Sequence, residues 1–247
     1  MPDTAMILAA GLGKRMRPIT DTLPKPLVPV DGRPMIDYLF DSLEEAGVRR
    51  IVVNVHYLAD QLVGHISARM GDSVIISDER AELLESGGGV VRALPMLGTE
   101  PFYILNADTF WLDRPGGRPH LSSLAEAWDP QRMDMLLTVA AMDNVIGYGG
   151  KGDFQMDSEN RIARYDGMSR DPFVNMGAAI VSPSIFDHAP AGPFSLNRCY
   201  DEAIARGRLF GLHGDGLWLT IGTPEAIGEA EEAMDEFRSE RAAGPHP

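Results

Sequence analysis

Lysine is scarce in this chain. The 22 basic residues include only Lys14, Lys25 and Lys151; the rest are arginine. Where arginine is the default cation, a retained lysine marks a place that wants a compact point charge. Cysteine is scarcer still: the single Cys199 excludes an internal disulfide and reads as a small buried apolar residue in a helical pattern. No run approaches the roughly 20 apolar residues of a membrane span. The N-terminus has no basic segment ahead of its short apolar run, as a secretory leader would, so a soluble cytoplasmic protein is expected. Positive charge is also short overall. Acidic residues number 36, the formal charge is −14 and the pI is near 4.8. That balance argues against nucleic acid or an anionic membrane as partner. Two familiar phosphate loops are missing as well. Gly13-Lys14 is followed by Arg15 and not by Ser or Thr, and Met16 stands where a dinucleotide fingerprint has a third small residue.

What is present is enough for one sizeable core, with 247 residues of which 44% are hydrophobic. Strand-like and helix-like stretches alternate. Strands are expected at Thr4–Leu8, Arg50–Val55, Ser73–Ser77, Phe102–Leu105, Met135–Ala141, Ala178–Val181, Leu209–Leu212 and Leu217–Ile221. Helices are expected at Met35–Ala46, Ala59–Met70, Gly89–Leu97, Asn197–Arg206 and from Pro224 toward Arg241, with a hairpin across Asp157–Asn160 and a frayed tail at 242–247. The rhythm predicts an α/β fold: a Rossmann-like, mixed and mostly parallel sheet with helices on both faces. Ligands bind such sheets beyond the carboxyl ends of the strands, where Ala9–Arg15 and Asn106–Asp108 fall.

The densest chemistry lies between Leu8 and Val30. An apolar run stops at Ala9, Ala10, Gly11 and Gly13, small residues that let backbone approach a ligand closely, and Lys14, Arg15 and Arg17 follow at once. Taken alone this is equally a tight turn with a solvated basic face; as a site it suggests a polyphosphate on backbone amides and cations. Lys25 sits between Pro24 and Pro26, so it is held in a stiff segment, biased toward extended geometry. The whole string, Leu-Ala-Ala-Gly-x-Gly-x-Arg-Met-x-Pro-x-Thr and then Pro-Lys-Pro-Leu, resembles the signature of sugar-1-phosphate nucleotidylyltransferases.

The resemblance continues along the chain. Leu84-Glu85-Ser86-Gly87-Gly88-Gly89 matches the family's base-recognising loop, in which glycines let backbone groups read a base edge. Asn106-Ala107-Asp108 replaces the usual Asn-Gly-Asp, whose aspartate binds Mg²⁺ in relatives. Asn175-Met176-Gly177 resembles the Asn-x-Gly that meets the sugar. Gly150-Lys151-Gly152-Asp153-Phe154 and Phe194-Ser195-Leu196-Asn197 through Trp218 are similar to the branch acting on N-acetylmuramate 1-phosphate with UTP. Near the end the chain departs from the pattern: Thr220 stands where many relatives carry a second metal-binding Asp. Either Asp108 and phosphates hold the metal with water, or Asp215 helps from the preceding turn.

The resemblance therefore implies a single domain over 1–241. Its nucleotide-binding half is about 1–110, its sugar-binding half about 111–223, and a C-terminal helix spans 224–241. Arg15 and Lys25 would be catalytic, on the triphosphate and the attacking sugar phosphate. Leu8, Ala9, Ala10, Gly11, Gly13, Lys14, Glu85, Gly87, Gly88 and Asn106 would bind the nucleotide. Lys151, Asp153 and Asn175 would bind the sugar, and Asp108 would bind Mg²⁺. The implied reaction joins a nucleoside triphosphate to a sugar 1-phosphate with release of pyrophosphate. The attacking oxygen is already ionised, so no catalytic role is expected for any of the 6 histidines. The same chemistry on glucose with dTTP or mannose with GTP, or a weakly catalytic nucleotide-sugar-binding regulator prompted by Thr220, are the other readings.

Overall fold

The computed structural model describes residues 1–168 and 171–243. Alternation along the first strand sets the layers. In β1 (Thr4–Leu8), Ala5 and Ile7 turn to one face and Met6 to the other, because successive side chains of a strand point to opposite faces. β1 pairs in parallel with β2 (Arg50–Val55), β2 pairs likewise with β3 (Val74–Asp78), and β1 pairs on its other side with β4 (Phe102–Asn106). The chain continues through β5 (Thr109–Leu112), β6 (Met135–Ala141), β7 (Phe154–Met156), β8 (Ile162–Arg164), β9 (Phe173–Val181), β10 (Leu209–His213) and β11 (Leu217–Thr220). β9 lies antiparallel to β4, β6 and β7; β10 joins β6 in parallel, completing a mixed nine-stranded sheet. β5, β11 and Val145–Ile146 form a second, smaller sheet.

Among the described residues six α-helices cover the two faces: α1 (Met35–Glu45), α2 (Ala59–Met70), α3 (Glu85–Leu97), α4 (His120–Ala127), α5 (Asn197–Ala205) and α6 (Glu225–Ala243). α1, α2, α4 and α6 bury their apolar stripes on the Ile7 face, α3 and α5 on the Met6 face. Cys199 of α5 is buried there as expected, and burial pushes its thiol up to about 11. No helix among the described residues is long and apolar enough to cross a membrane.

Two elements, β5 and α4, were not expected from the sequence, and four others differ from the sequence reading in kind or by more than one residue at an end. α3 begins at Glu85 and not at Gly89, because the first amides of a helix need outside acceptors and the Phe194 carbonyl takes those of Gly87 (2.8 Å) and Gly88 (3.1 Å). β9 begins at Phe173 and not at Ala178; an irregularity between Asn175 and Ala179, with Gly177 at φ 68°, breaks its alternation. Lys25 opens a 3₁₀ turn, Lys25–Leu27, and is not extended, although Leu27 N–H to Pro24 (2.9 Å) and Val28 N–H to Lys25 (3.0 Å) keep it rigid. α6 runs on to Ala243, so of the expected frayed tail only 244–247 remain, and they lie outside the described residues.

Candidate active site

The carboxyl ends of β1, β2 and β4 and the start of α3 meet around a cleft of about 270 Å³. Leu8, Ala9, Ala10 and Gly11 line it, and a β-carbon at Gly11 would meet only open space, so backbone is presented there without obstruction. Lys25 and Asp108 line it from the loops after β1 and β4, Asn106 from the end of β4, and Glu85 from the start of α3. Eight of the residues singled out in the sequence thus share one cleft. Pro26, Asn54, Leu83, Ser86 and Ala107 complete it.

Lys25 Nζ stands 2.7 Å from Asp108 Oδ2, with the two side chains 13% and 35% exposed. The turn before it is shaped for this approach. Gly13 has φ 60°, and a β-carbon on it would come within 2.9 Å of Thr20 Cγ2 and 3.2 Å of Lys25 Cβ. Thr20 Oγ1 donates to the Gly13 carbonyl at 2.7 Å, clamping the turn. Arg15 and Lys14 are exposed and have no ion pair among the described residues. The Arg15 guanidinium lies over Gly222, with Nη1 3.5 Å from where a β-carbon would stand. The next residue back, Ile221, donates its N–H to the Asp108 carbonyl at 2.9 Å. Arg15 and Lys25 therefore gather at the same Asp108 segment.

Thr220 pairs with Thr109 across the β5–β11 ladder, so it is a near neighbour of Asp108. Asp215 is not: it lies before β11, ion-paired with Arg114 at 2.5 Å, at the opposite end of that ladder. Its help with a metal is thereby ruled out. Among the described residues no cluster of three or more His, Cys, Asp or Glu stands ready for a metal. So sparse a set of carboxylates, Asp108 with Glu85 on another wall of the cleft, suits Mg²⁺, which keeps several waters and takes phosphate oxygens as ligands, and does not suit a metal that needs a full protein cage.

The remaining sequence-predicted residues lie off the main cleft. The Gly87 and Gly88 amides are bound to the Phe194 carbonyl, so they are not the free donors a base-reading loop was expected to offer. A β-carbon at Gly87 would strike the Phe194 ring, so this glycine serves close packing. Asn175 Oδ1 accepts from Gly177 N–H (3.1 Å), and both Asn175 and Asn106 line a small enclosed pocket with Tyr200. Asp153 accepts from the Asn175 amide (2.9 Å) and the Tyr148 hydroxyl (3.1 Å). Burial, and then the Asp153 charge, push that hydroxyl up to about 12. Asp153 thus braces the loop that carries Lys151, which is exposed and without an ion pair among the described residues.

Sequence reasoning missed Asn54. A polar residue inside the apolar run Ile51–Val55 is the signal that could have found it: it is 2% exposed, and its Oδ1 accepts the Ala9 N–H at 2.7 Å.

Residues 5–147 match the family model described as a MobA-like NTP transferase domain. The chain is 40% identical over 239 residues to an N-acetylmuramate alpha-1-phosphate uridylyltransferase of Caulobacter vibrioides, covering 95% of this chain and 98% of that one. It is 34% identical to the protein of that name from Neisseria meningitidis, over 92% of this chain and 96% of that one. The inositol-1-phosphate CTP transferase of T. maritima shares the fold, with a TM-score of 0.75 at 22% identity over 96% of each chain.

Proposed function

Since the chain belongs to the sugar-1-phosphate nucleotidylyltransferases, enzymes built on the MobA-like NTP transferase domain, we propose that its substrates are UTP and N-acetylmuramate 1-phosphate. The observation that carries this reading is the 40% identity to a uridylyltransferase of that specificity along 95% of the chain. We assign the nucleotide to the half at about 1–110, in the cleft after β1, and the sugar to about 111–223, with the whole of 1–241 as one domain.

The reaction is an in-line displacement. An oxygen of the sugar's phosphate attacks the α-phosphorus of the triphosphate; the bond to the β-phosphate's bridging oxygen breaks, and pyrophosphate leaves with the electron pair. The difficulty is electrostatic. Two like unit charges about 4 Å apart repel by about 1 kcal/mol in water and about 4 kcal/mol at an effective dielectric of about 20. Cations fixed where charge accumulates remove that obstacle. Arg15 and Lys14, neither ion-paired among the described residues, are assigned to the triphosphate, and Lys25 to the attacking phosphate. Ala9, Ala10, Gly11 and Gly13 supply close backbone approach, Glu85 and Asn106 border the base and ribose, and Gly87 and Gly88 act behind them by packing the start of α3 against Phe194. Mg²⁺, if bound, would be held by Asp108 with phosphate and water oxygens and would neutralise charge on the triphosphate. Lys151 is assigned to the sugar's phosphate or its lactyl carboxylate, with Asp153 and Asn175 bracing that side.

A pyrophosphate-release assay tests this. UTP, GTP, CTP and dTTP are each paired with N-acetylmuramate, glucose and mannose 1-phosphates. The expected best pair is UTP with N-acetylmuramate 1-phosphate. A different best pair replaces the substrates and keeps the chemistry. Binding without turnover at any Mg²⁺ concentration makes the protein a nucleotide-sugar sensor.

A further inference from the structure

Glu79 is 1% exposed and does not line the cleft, yet its carboxylate joins two segments that do. One oxygen accepts from Asn54 Nδ2 at 2.8 Å and the other from the Leu84 N–H at 3.3 Å. Asn54 in turn accepts the Ala9 N–H at 2.7 Å. An unbroken chain thus runs from the first residue after β1, through the end of β2, to the residue before Glu85. Glu85 itself has φ 58°, a left-handed conformation that a non-glycine residue holds only when its surroundings fix it. α3 rests directly on the pair: a β-carbon at Gly89 would stand 2.8 Å from both Asn54 Nδ2 and Glu79 Oε1. A buried polar network in which each member finds a partner rigidifies what it connects.

We propose that Glu79, through Asn54 and the Leu84 amide, is a positioning residue for the nucleotide. It sets the spacing between the phosphate-side loop at Ala9–Gly11 and the turn at Glu85–Ser86. This rests on the reading that the cleft holds the nucleoside triphosphate. No atom of Glu79 need touch it.

Glu79→Gln keeps the volume but offers one acceptor where two are used, so either Asn54 or Leu84 loses its partner. The expected result is a rise of about tenfold in KM for whichever nucleoside triphosphate the wild type turns over, the size of one lost charge-assisted hydrogen bond. kcat and the KM for sugar phosphate are expected to stay within about threefold, less than one such bond. The double variant N54D/E79Q reverses the inner bond. Its carboxylate accepts from Ala9 and from the new carboxamide, whose oxygen accepts from Leu84, so each of these donors is met again at unchanged net charge. Its nucleotide KM is expected within about threefold of wild type. Thermal melts check that both variants fold; should E79Q alone fail to fold, the double variant decides. An unchanged nucleotide KM in E79Q, or a double variant no better than E79Q, overturns the proposal. A rise in the sugar-phosphate KM in place of the nucleotide's instead removes the nucleotide from this cleft, and the positioning role with it.

Discussion

A lysine 2.7 Å from a carboxylate stays there until something more anionic competes for it. In the Lys25–Asp108 pair each partner neutralises the other, and both face the cleft where phosphates are assigned. Lys25→Ala is therefore expected to lower kcat by about a hundredfold or more, as loss of one preorganised charge donor does, while nucleotide affinity in a direct titration changes far less. Equal loss in both would move Lys25 from the attacking phosphate to the triphosphate. Thr220 offers the converse test. Its neighbour Ile221 is hydrogen-bonded to the Asp108 backbone, so a carboxylate at 220 would stand beside the first one. Thr220→Asp is expected to lower the Mg²⁺ concentration for half-maximal turnover by about threefold or more, since ligand charge count sets affinity for hard cations. An unchanged Mg²⁺ dependence would mean that the side chain at 220 faces away from the metal.

At the scale of elements, α4 is fixed to the small sheet through one buried imidazole. His120 meets Trp111 and Trp218 edge-on, at 5.7 and 4.8 Å between ring centres, and its Nε2 stands 2.7 Å from Thr138 Oγ1. Burial pushes its pKa down from 6.5 to about 4. Between those values the unfolded chain binds a proton that the folded chain refuses, so stability falls as pH drops from 6.5 toward 4 and the effect is complete below 4. The wild type is expected to lose roughly 2 kcal/mol more than His120→Asn on going from about pH 7.5 to about pH 5. Urea unfolding of both proteins at the two pH values reads the difference, and parallel losses would show that His120 is not the group that titrates.

The elements also show what a sequence can and cannot display. β1, β2 and α2 have the bounds their apolar runs suggest, because the runs stop at Ala9, His56 and Gly71, small or polar residues; β6 has the expected bounds too. The start of α3 was invisible because its acceptor, Phe194, comes from a loop far along the chain. The site divides the same way. Ala9–Gly11, Lys25 and Asp108 were legible as contiguous motifs, whereas the Asn54–Glu79 pair exists only because parallel strand ends are brought side by side. Asp215 looked available by its spacing from Thr220, but an intervening strand carries it to the other end of the ladder.

For the whole molecule, the formal charge of −14 opposes the approach of any phosphate, while the exposed cations Lys14 and Arg15 attract it only at short range. These two contributions respond differently to salt. Raising ionic strength from about 10 mM to about 150 mM shortens the screening length from about 30 Å to about 8 Å. The distant carboxylates are then hidden from an incoming nucleotide, but a cation in contact with its phosphates is not. kcat/KM for the nucleotide, measured at saturating sugar phosphate and fixed free Mg²⁺, is therefore expected to hold or rise over this range. A basic protein would show the steep fall of electrostatic steering. A fall of more than about threefold would mean that the cleft's positive field extends beyond the contact distance of its own cations and outweighs the rest of the surface. The acidic composition would then serve solubility alone and leave substrate approach untouched.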